Sequence, residues 1–308
     1  MLLRNLLLSL GIIGTLLYYT TNVFTPYYQF VMFVIGMVIV GIPHGAADLL
    51  VSIKNETGNK KFSILLFFLQ YFARLIAFGL LLYYIPKFGG AIFIVFAAYH
   101  FGESDLYQFN TSSFIGKLLV TSYGLVLLST MLIHHFSEVV DIVNLLQPEF
   151  FSMANLQYVQ LNSYKIESII SVLFFSIAFI YFYKHGANPF VGYAFVQFVV
   201  LIVILYNLPL IAGFTFYFII WHSLLSLHNI VTYLQHNKTF NLATIVKQIL
   251  LYSVIAIFGT AVIGYLGVMF TNTKTIISYT FVALALLTAP HLEVMHTMYI
   301  KLRQLDKV

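Results

Sequence analysis

The chain contains no cysteine and little charge: Asp, Glu, Lys and Arg together make up 8% of its 308 residues. The missing cysteines exclude disulfides, thiolate metal ligands and iron–sulfur clusters. A soluble domain is about one quarter charged, so the low charge excludes an ordinary soluble protein. Any bound metal must be held by histidine or carboxylate, which favours iron, zinc, copper or manganese.

Hydrophobic residues make up 61% of the chain and gather in runs long enough for transmembrane helices of about 20 residues. Polar breaks divide the chain into ten such segments: 4–20, 29–49, 62–85, 90–108, 116–134, 167–183, 190–206, 210–234, 246–270 and 276–300. Some are short, so eight or nine spans remain alternatives. We expect an all-α fold: a polytopic transmembrane helix bundle of about 8–10 spans, forming a single integral-membrane domain over residues 1–308. The connection 135–167 is expected to hold an interfacial helix.

Basic residues are distributed unevenly between the two sides of the predicted bundle. With ten spans, eleven of the 15 Lys and Arg fall on one side and three on the other, while Arg74 lies within a span. Cytoplasmic loops carry the excess of Lys and Arg, so both termini are predicted to be cytoplasmic. This pattern explains the net charge of +5 without a nucleic-acid partner. Arg74 is expected to snorkel or to pair with a buried carboxylate.

Four histidines lie inside the apolar segments, each in a distinctive local sequence. These sequences are Pro-His-Gly-Ala-Ala-Asp (Pro43 to Asp48), His-Phe-Gly-Glu-Ser-Asp (His100 to Asp105), Trp-His-Ser (Trp221 to Ser223) and Pro-His (Pro290 and His291). An imidazole in hydrocarbon is costly and usually has a partner or a function. All four fall on even-numbered segments, and at 1.5 Å per residue their depths differ by less than roughly 8 Å. We therefore expect one buried metal site.

Two carboxylates follow motif histidines by one helical turn. Asp48 lies four residues after His44, and Glu103 lies three residues after His100. A metal-binding histidine usually donates its other ring N–H to a carboxylate or carbonyl, which fixes the tautomer. Asp48 and Glu103 are therefore expected to orient histidine ligands, on their own helix or on a neighbouring one.

Two of the histidine segments contain a second histidine. His222 and His228 are six residues apart, and His291 and His296 are five apart, so neither pair shares a helix face. One ligand from each of four helices is therefore expected, and the choice within each pair stays open. The other histidines are expected at the membrane interface or in solvent: His134, His135, His185 and His236.

The residue types favour oxygen chemistry on an apolar substrate. An all-nitrogen iron site with open coordination positions suits O2 activation. A site in mid-membrane is most easily reached by a lipid-soluble molecule. The aromatic run just before His222 either packs internally or lines an apolar substrate tunnel; it consists of Phe214, Phe216, Tyr217 and Phe218. The residues alone thus indicate a membrane metalloenzyme acting on a lipid-soluble substrate.

Three other functions are alternatives to this one. A di-iron hydroxylase or desaturase uses dense His-x-x-His-His boxes, and the only adjacent histidines are His134 and His135. A transporter or proton channel lined by His, Asp and Glu remains an alternative, although no repeat of the histidine sequences joins the two halves. A purely structural partner of a rhodopsin would leave the four histidines without a joint purpose.

In their order over nearly the whole chain, the four histidine sequences resemble those of the Brp/Blh family of bacterial and archaeal β-carotene 15,15′-dioxygenases. The resemblance implies a multi-pass protein of the cell (inner) membrane. It implies cleavage of β-carotene by O2 at the central double bond, with Fe(II) bound by histidines and no organic cofactor. The products would be two retinal molecules, with a microbial rhodopsin as their acceptor.

The resemblance also implies roles for individual residues. His44, His100 and His222 would be iron ligands. The family pattern suggests a histidine one turn after His222, where this chain has Ser226. The fourth ligand is expected to be His291, with His228 and His296 as alternates. Asp48 and Glu103 would support the ligands, and direct carboxylate ligation stays open.

Overall fold

The computed structural model describes residues 1–55, 62–146, 152–186, 189–236, 240–270 and 276–305, and every regular element within these ranges is a helix. In chain order the elements are α1 (Leu2–Thr20), α2 (Pro26–Gly36), the π-helical segment π1 (Met37–Gly41), α3 (Ile42–Ala46), α4 (Asp48–Asn55), α5 (Ile64–Tyr84), α6 (Pro86–Asp105), α7 (Phe114–Leu132), α8 (Phe136–Leu146), α9 (Met153–His185), α10 (Val191–Asn207), α11 (Leu210–Phe214), the π-helical segment π2 (Thr215–Ser223), α12 (Leu224–Gln235), α13 (Leu242–Phe270) and α14 (Ile276–Leu305). The predicted all-α fold is confirmed for these residues, and each predicted segment falls on a helix or on consecutive helices.

Local side chains set several helix boundaries. The hydroxyls of Thr25, Ser63, Ser113 and Ser152 accept hydrogen bonds from the backbone N–H three residues later, in the first turns of α2, α5, α7 and α9. Such caps typically stabilise a helix by about 1 kcal/mol each. Helix α9 ends at Gly186, whose φ of 76° is a conformation that glycine adopts without strain.

The connection predicted over 135–167 is shorter than expected. It contains α8, whose position at a membrane interface stays a prediction, and residues 147–151 lie outside the described ranges. Helix α9 begins at Met153, next to the capping hydroxyl of Ser152, so it starts before the apolar segment predicted from 167, which lies within it.

Seven helices within the described residues are long and apolar enough to cross a membrane, which makes the chain a multi-pass membrane protein by length and composition. They are Leu2–Thr20, Pro26–Asn55, Ile64–Tyr84, Phe114–Leu132, Met153–His185, Leu210–Gln235 and Leu242–Gly259. Helix α10 is apolar but has only 17 residues, and the last turn of α6 is polar. The count of eight to ten spans stays a prediction, as does the cytoplasmic position of both termini.

The residues group into two compact units, each assembled from several chain segments. Unit 1 comprises Met1–Val40, Ala98–Asp141 and Phe151–Leu225; unit 2 comprises Gly41–Ala97, Ile142–Phe150 and Ser226–Val308. Within unit 1, α7 packs on α9 and α10, and α1 packs on α10. Within unit 2, α14 packs on α4 and α5, and α13 packs on α3. The single membrane domain over the whole chain stays a prediction.

Arg74, the one basic residue predicted within a span, has a carboxylate partner in unit 2. Its Nε lies 2.7 Å from Glu293 Oε2, and its second guanidinium nitrogen donates to Glu293 Oε1 at 2.8 Å. The pairing was predicted, but the partner was expected to be buried. The Glu293 side chain is instead 55% exposed, because both α5 and α14 turn these residues outward.

Helices α6 and α7 approach closely in unit 1 through two glycines. A Cβ at Gly102 would overlap the carbonyl oxygen of Val120, and a Cβ at Gly124 would overlap that of Ala98. The two glycines are thus reciprocal, each facing the backbone of the other helix. Small residues at four-residue spacing allow such close helix packing in membranes. The approach fixes the part of α6 that carries His100.

We expect Gly102→Ala to destabilise the protein by about 1–3 kcal/mol, the range for overpacking a filled contact. Gly90→Ala is the matched control, since it lies in the same helix and its Cβ would meet no heavy atom within 4 Å. Thermal unfolding of the purified protein in detergent measures both. Equal melting temperatures for the two variants would contradict the close approach.

Candidate metal centre

His44 and His291 form a buried pair in unit 2. Their Nε2 atoms lie 3.1 Å apart, and their rings meet edge to face with centroids 4.7 Å apart. His44 is on α3 and His291 is on α14, so residues 247 positions apart in sequence come together. Two nitrogens that each bind one metal ion at about 2.1 Å in adjacent positions lie about 3 Å apart. The observed separation suits such a pair.

The other ring nitrogens of this pair bind groups that accept hydrogen bonds. His44 Nδ1 donates to the Gly41 carbonyl at 2.8 Å, and His291 Nδ1 donates to Asp48 Oδ1 at 2.7 Å. Since each Nδ1 carries a proton, the two Nε2 atoms are left to face each other. A proton or a cation between the two Nε2 atoms makes that contact favourable.

Asp48 orients His291 rather than the histidine on its own chain segment. Its Oδ1 accepts from His291, and its Oδ2 accepts from the Tyr71 hydroxyl at 3.1 Å. The sequence predicted that Asp48 orients a histidine on its own or a neighbouring helix; the structure places that histidine on α14. A carboxylate held in this way fixes the tautomer of the ring it binds.

The backbone around His44 departs from a regular α-helix. The π-helical segment π1 ends at Gly41, and Pro43 follows at the start of α3. Proline has no N–H and clashes with the carbonyl four residues earlier, so a regular α-helical ladder cannot pass through it. The widened turn precedes the ring, and the Gly41 carbonyl at its end accepts the His44 Nδ1–H. π-Helical turns are often found at functional sites.

His100 and His222 form a similar pair in unit 1. Their ring centroids lie 4.8 Å apart at an interplanar angle of 73°, and both residues are buried. Phe101 packs against the His222 ring at 4.9 Å, and Phe218 stacks on it at 6.0 Å with 20° between the planes. The four motif histidines thus occur as two pairs, one within each unit.

His222 lies within the second π-helical segment, π2. Ser223, the last residue of π2, donates its hydroxyl hydrogen to the Phe218 carbonyl, five residues earlier, at 2.8 Å. This is a side-chain bond; the backbone of π2 itself has the five-residue hydrogen-bond spacing of a π-helix. Both His44 and His222 therefore lie at or beside a π-helical turn, which the sequence analysis did not anticipate.

Glu103 is buried, and its Oε1 accepts from the Tyr99 hydroxyl at 3.2 Å. Tyr99 lies one turn earlier on α6. The predicted role of Glu103 in orienting a histidine stays a prediction.

The alternate ligands occupy less enclosed positions than His291. His228 is exposed on α12, and His296 is half-buried on α14, whereas His291 is 6% exposed. Ser226, which stands where the family pattern suggested a histidine, is buried with its hydroxyl 3.5 Å from that of Tyr299. Among the three candidates for the fourth ligand, His291 is the most enclosed.

The remaining histidines lie outside these pairs. His185 and His236 are exposed, as expected, although His185 is the last residue of α9 and does not lie in a loop. His134 and His135 are half-buried just after α7, and His135 Nδ1 lies 3.3 Å from Glu138 Oε1.

Asp105 is a buried polar residue whose role is not evident from the sequence. Its carboxylate accepts from Trp221 Nε1 at 3.0 Å and from the Tyr123 and Tyr217 hydroxyls at 3.2 and 3.1 Å. Its backbone carbonyl accepts from the Arg4 guanidinium at 3.0 Å. The sequence did offer one indication of its importance: Asp105 ends the same motif that begins at His100, five residues earlier.

Within the described residues, no three side chains of His, Asp and Glu are grouped as a metal site requires. The donor chemistry of the His44–His291 pair nevertheless suits a metal ion. Imidazole nitrogen is a common ligand for iron, copper and zinc, and both Nδ1 atoms are engaged in the way that metal ligands usually are.

The fold and these pairs define a multi-pass helical membrane protein with two buried histidine pairs. The family model for β-carotene 15,15′-dioxygenase matches residues 35–299, which include all four motif histidines and Asp48. The chain therefore belongs to the β-carotene 15,15′-dioxygenase family, and it is a carotenoid-cleaving dioxygenase. Searches of curated proteins and of solved structures found no match.

We expect Asp48→Ala to weaken Fe(II) binding about 10- to 100-fold, because His291 would lose the acceptor that fixes its ring. Glu138→Ala is the matched control, since it also removes a carboxylate near a histidine Nδ1, that of His135. Equilibrium dialysis of the purified protein under anaerobic conditions measures both affinities. The role given to Asp48 fails if its variant binds Fe(II) as tightly as the Glu138 variant.

Proposed function

We propose that this protein cleaves β-carotene at its central 15,15′ double bond with O2, yielding two molecules of retinal, and that Fe(II) held by histidines is its cofactor. The family membership supports the substrate and the product. The observation that carries the iron is the His44–His291 pair, whose Nε2 atoms face each other at 3.1 Å while both Nδ1 atoms donate elsewhere.

The proposed ligands are His44, His100, His222 and His291. Two observations support them. Each lies in one of the four local sequences that resemble the family, and each is buried against another histidine within its own unit. A buried polar ring is costly in an apolar interior unless it has a partner or a purpose. Bound iron would supply the activation of O2, for which the chain has no cysteine chemistry of its own.

The surrounding residues have supporting tasks in this proposal. Asp48 and the Gly41 carbonyl hold the Nδ1 protons of His291 and His44, so both Nε2 atoms are available as donors to the metal. The Tyr71 hydroxyl holds the other oxygen of Asp48. The burial of both rings keeps water from the imidazoles.

The aromatic residues before His222 divide into two groups. Phe216 and Tyr217 are buried, and Tyr217 is bound to Asp105, so these two stabilise the fold. Phe214 and Phe218 are half-buried and stack at 5.3 Å with 13° between their planes, and Phe218 stacks in turn on His222. A flat, apolar polyene can pack against such a series of stacked rings. We therefore assign substrate contact to Phe214 and Phe218 rather than to all four aromatic residues.

The setting is also part of the proposal. An apolar multi-pass chain gives a lipid-soluble carotene a route to the site from the bilayer of the cell (inner) membrane. The uneven distribution of Lys and Arg supports cytoplasmic termini. A microbial rhodopsin is the proposed acceptor of the retinal.

The direct test of this function is expression in a bacterial host that makes β-carotene and is therefore orange. The expected result is loss of colour with accumulation of retinal, measured by chromatography of extracted pigments. Unchanged colour in cells that contain the full-length protein in their membranes would contradict the proposed substrate.

Single histidine variants test the ligands in the same host. We expect His44→Ala and His222→Ala to abolish retinal formation, because each removes a proposed iron ligand. His185→Ala is the control, since that histidine is exposed and lies outside both pairs. Retinal formation by either ligand variant at the level of the His185 variant would remove that residue from the site.

A further inference from the structure

The hydrogen bonds around Asp105 link the two elements that carry His100 and His222. Asp105 is the last residue of α6, five residues after His100. Trp221 lies in π2, immediately before His222, and donates its indole N–H to Asp105 Oδ1 at 3.0 Å. One hydrogen bond therefore joins α6 to π2 beside the histidine pair.

We propose that Asp105 is a positioning residue that holds His222 against His100, acting through Trp221. The inference rests on the proposed function, in which both histidines are iron ligands. Asp105 itself touches neither iron nor substrate in this account. It fixes the register of π2 on α6, and hence the direction of the His222 ring.

The second carboxylate oxygen of Asp105 strengthens the same link. Oδ2 accepts from the Tyr217 hydroxyl at 3.1 Å and from the Tyr123 hydroxyl at 3.2 Å. Tyr217 and Trp221 are four residues apart on π2, so two side chains of that segment end on one carboxylate. Tyr123 adds a bond from α7. With both oxygens engaged, π2 cannot rotate without breaking a buried hydrogen bond, which is costly away from water.

Aromatic packing transmits this constraint to the histidine. Phe101, next to His100 in sequence, packs edge to face on Tyr217 at 5.1 Å and on His222 at 4.9 Å. A rotation of π2 would therefore displace the His222 ring from His100 as well as from Phe101. Interiors packed at this density transmit small displacements instead of absorbing them.

Arg4 extends the network to the first helix. It donates to the Asp105 backbone carbonyl at 3.0 Å and to Gln197 Oε1 at 2.6 Å, and its guanidinium lies 5.8 Å from the Trp221 ring. Arg4 is buried, and its positive charge lies beside a carboxylate that is 0% exposed. Since the family model matches from residue 35, α1 contributes to this arrangement from outside the matched region.

The test compares Asp105→Ala and Asp105→Asn with the parent protein, each as the full chain in detergent. Fe(II) affinity is measured by anaerobic equilibrium dialysis, and Trp221, the only tryptophan of the chain, reports locally by its fluorescence. We expect Asp105→Ala to bind Fe(II) about tenfold more weakly, at the low end for groups that orient metal ligands. Its Trp221 emission should shift. Asp105→Asn retains an oxygen that accepts from Trp221, so it should restore affinity and emission.

Tyr233→Phe is the matched control. It removes a different side-chain hydrogen bond of a buried residue, from the Tyr233 hydroxyl to Asn55 Oδ1 at 2.8 Å in unit 2, and it should leave Fe(II) affinity and Trp221 emission unchanged. If Asp105→Ala does not fold, Trp221→Phe removes the same hydrogen bond from its donor side, and the same tenfold loss is expected.

The possible outcomes distinguish a failure of the positioning role of Asp105 from a failure of the proposed iron site. Parent affinity for Fe(II) in Asp105→Ala or Trp221→Phe overturns the positioning role and leaves the iron site standing. A parent protein that binds no Fe(II) overturns the proposed cofactor, and the positioning role with it. Weaker binding with restoration by Asp105→Asn supports both.

Discussion

The contact between His44 Nε2 and His291 Nε2, 3.1 Å apart in an apolar interior, is the interaction on which this account depends. Both Nδ1 atoms donate to acceptors, so the two Nε2 lone pairs face each other. Two lone pairs at this distance repel unless a positive charge lies between them. A proton or a cation between them makes the contact favourable, and engaged Nδ1 atoms are usual for histidines that bind a metal.

The helices accommodate the histidines by leaving regular α-helical geometry where the rings are needed. Segment π1 lies just before His44, and π2 contains His222. The close approach of α6 and α7 at Gly102 and Gly124 supports the part of α6 that carries His100. The irregular turns and the glycine contacts thus occur near the buried histidines. Elsewhere the helices are long and apolar enough to cross a bilayer.

The sequence predicted the features that follow from composition and spacing. Helices are present at all ten predicted apolar segments. The family suggested by the four histidine sequences is confirmed by the family model. The start of α9 was not predicted because hydropathy marks only the apolar part of this helix, whereas its first turn is capped by the Ser152 hydroxyl. The exposed partner of Arg74 was missed because hydropathy does not reveal which face of a helix is covered.

Partnerships between distant residues could not be predicted, because no periodicity along one helix encodes a contact with another. Asp48 was recognised as a carboxylate for orienting a histidine, yet its partner is on α14. Asp105 received no role, because its donors come from three other elements. The π-helical turns also escaped prediction, since only Pro43 gives a local signal for one of them.

The central claim, that these buried histidines bind iron, is tested most directly by metal analysis together with X-ray absorption at the iron edge on the purified, full-length protein. We expect bound iron with nitrogen ligands and the scattering pattern of imidazole rings. An active protein that contains no stoichiometric transition metal, or an iron without imidazole scattering, would contradict it.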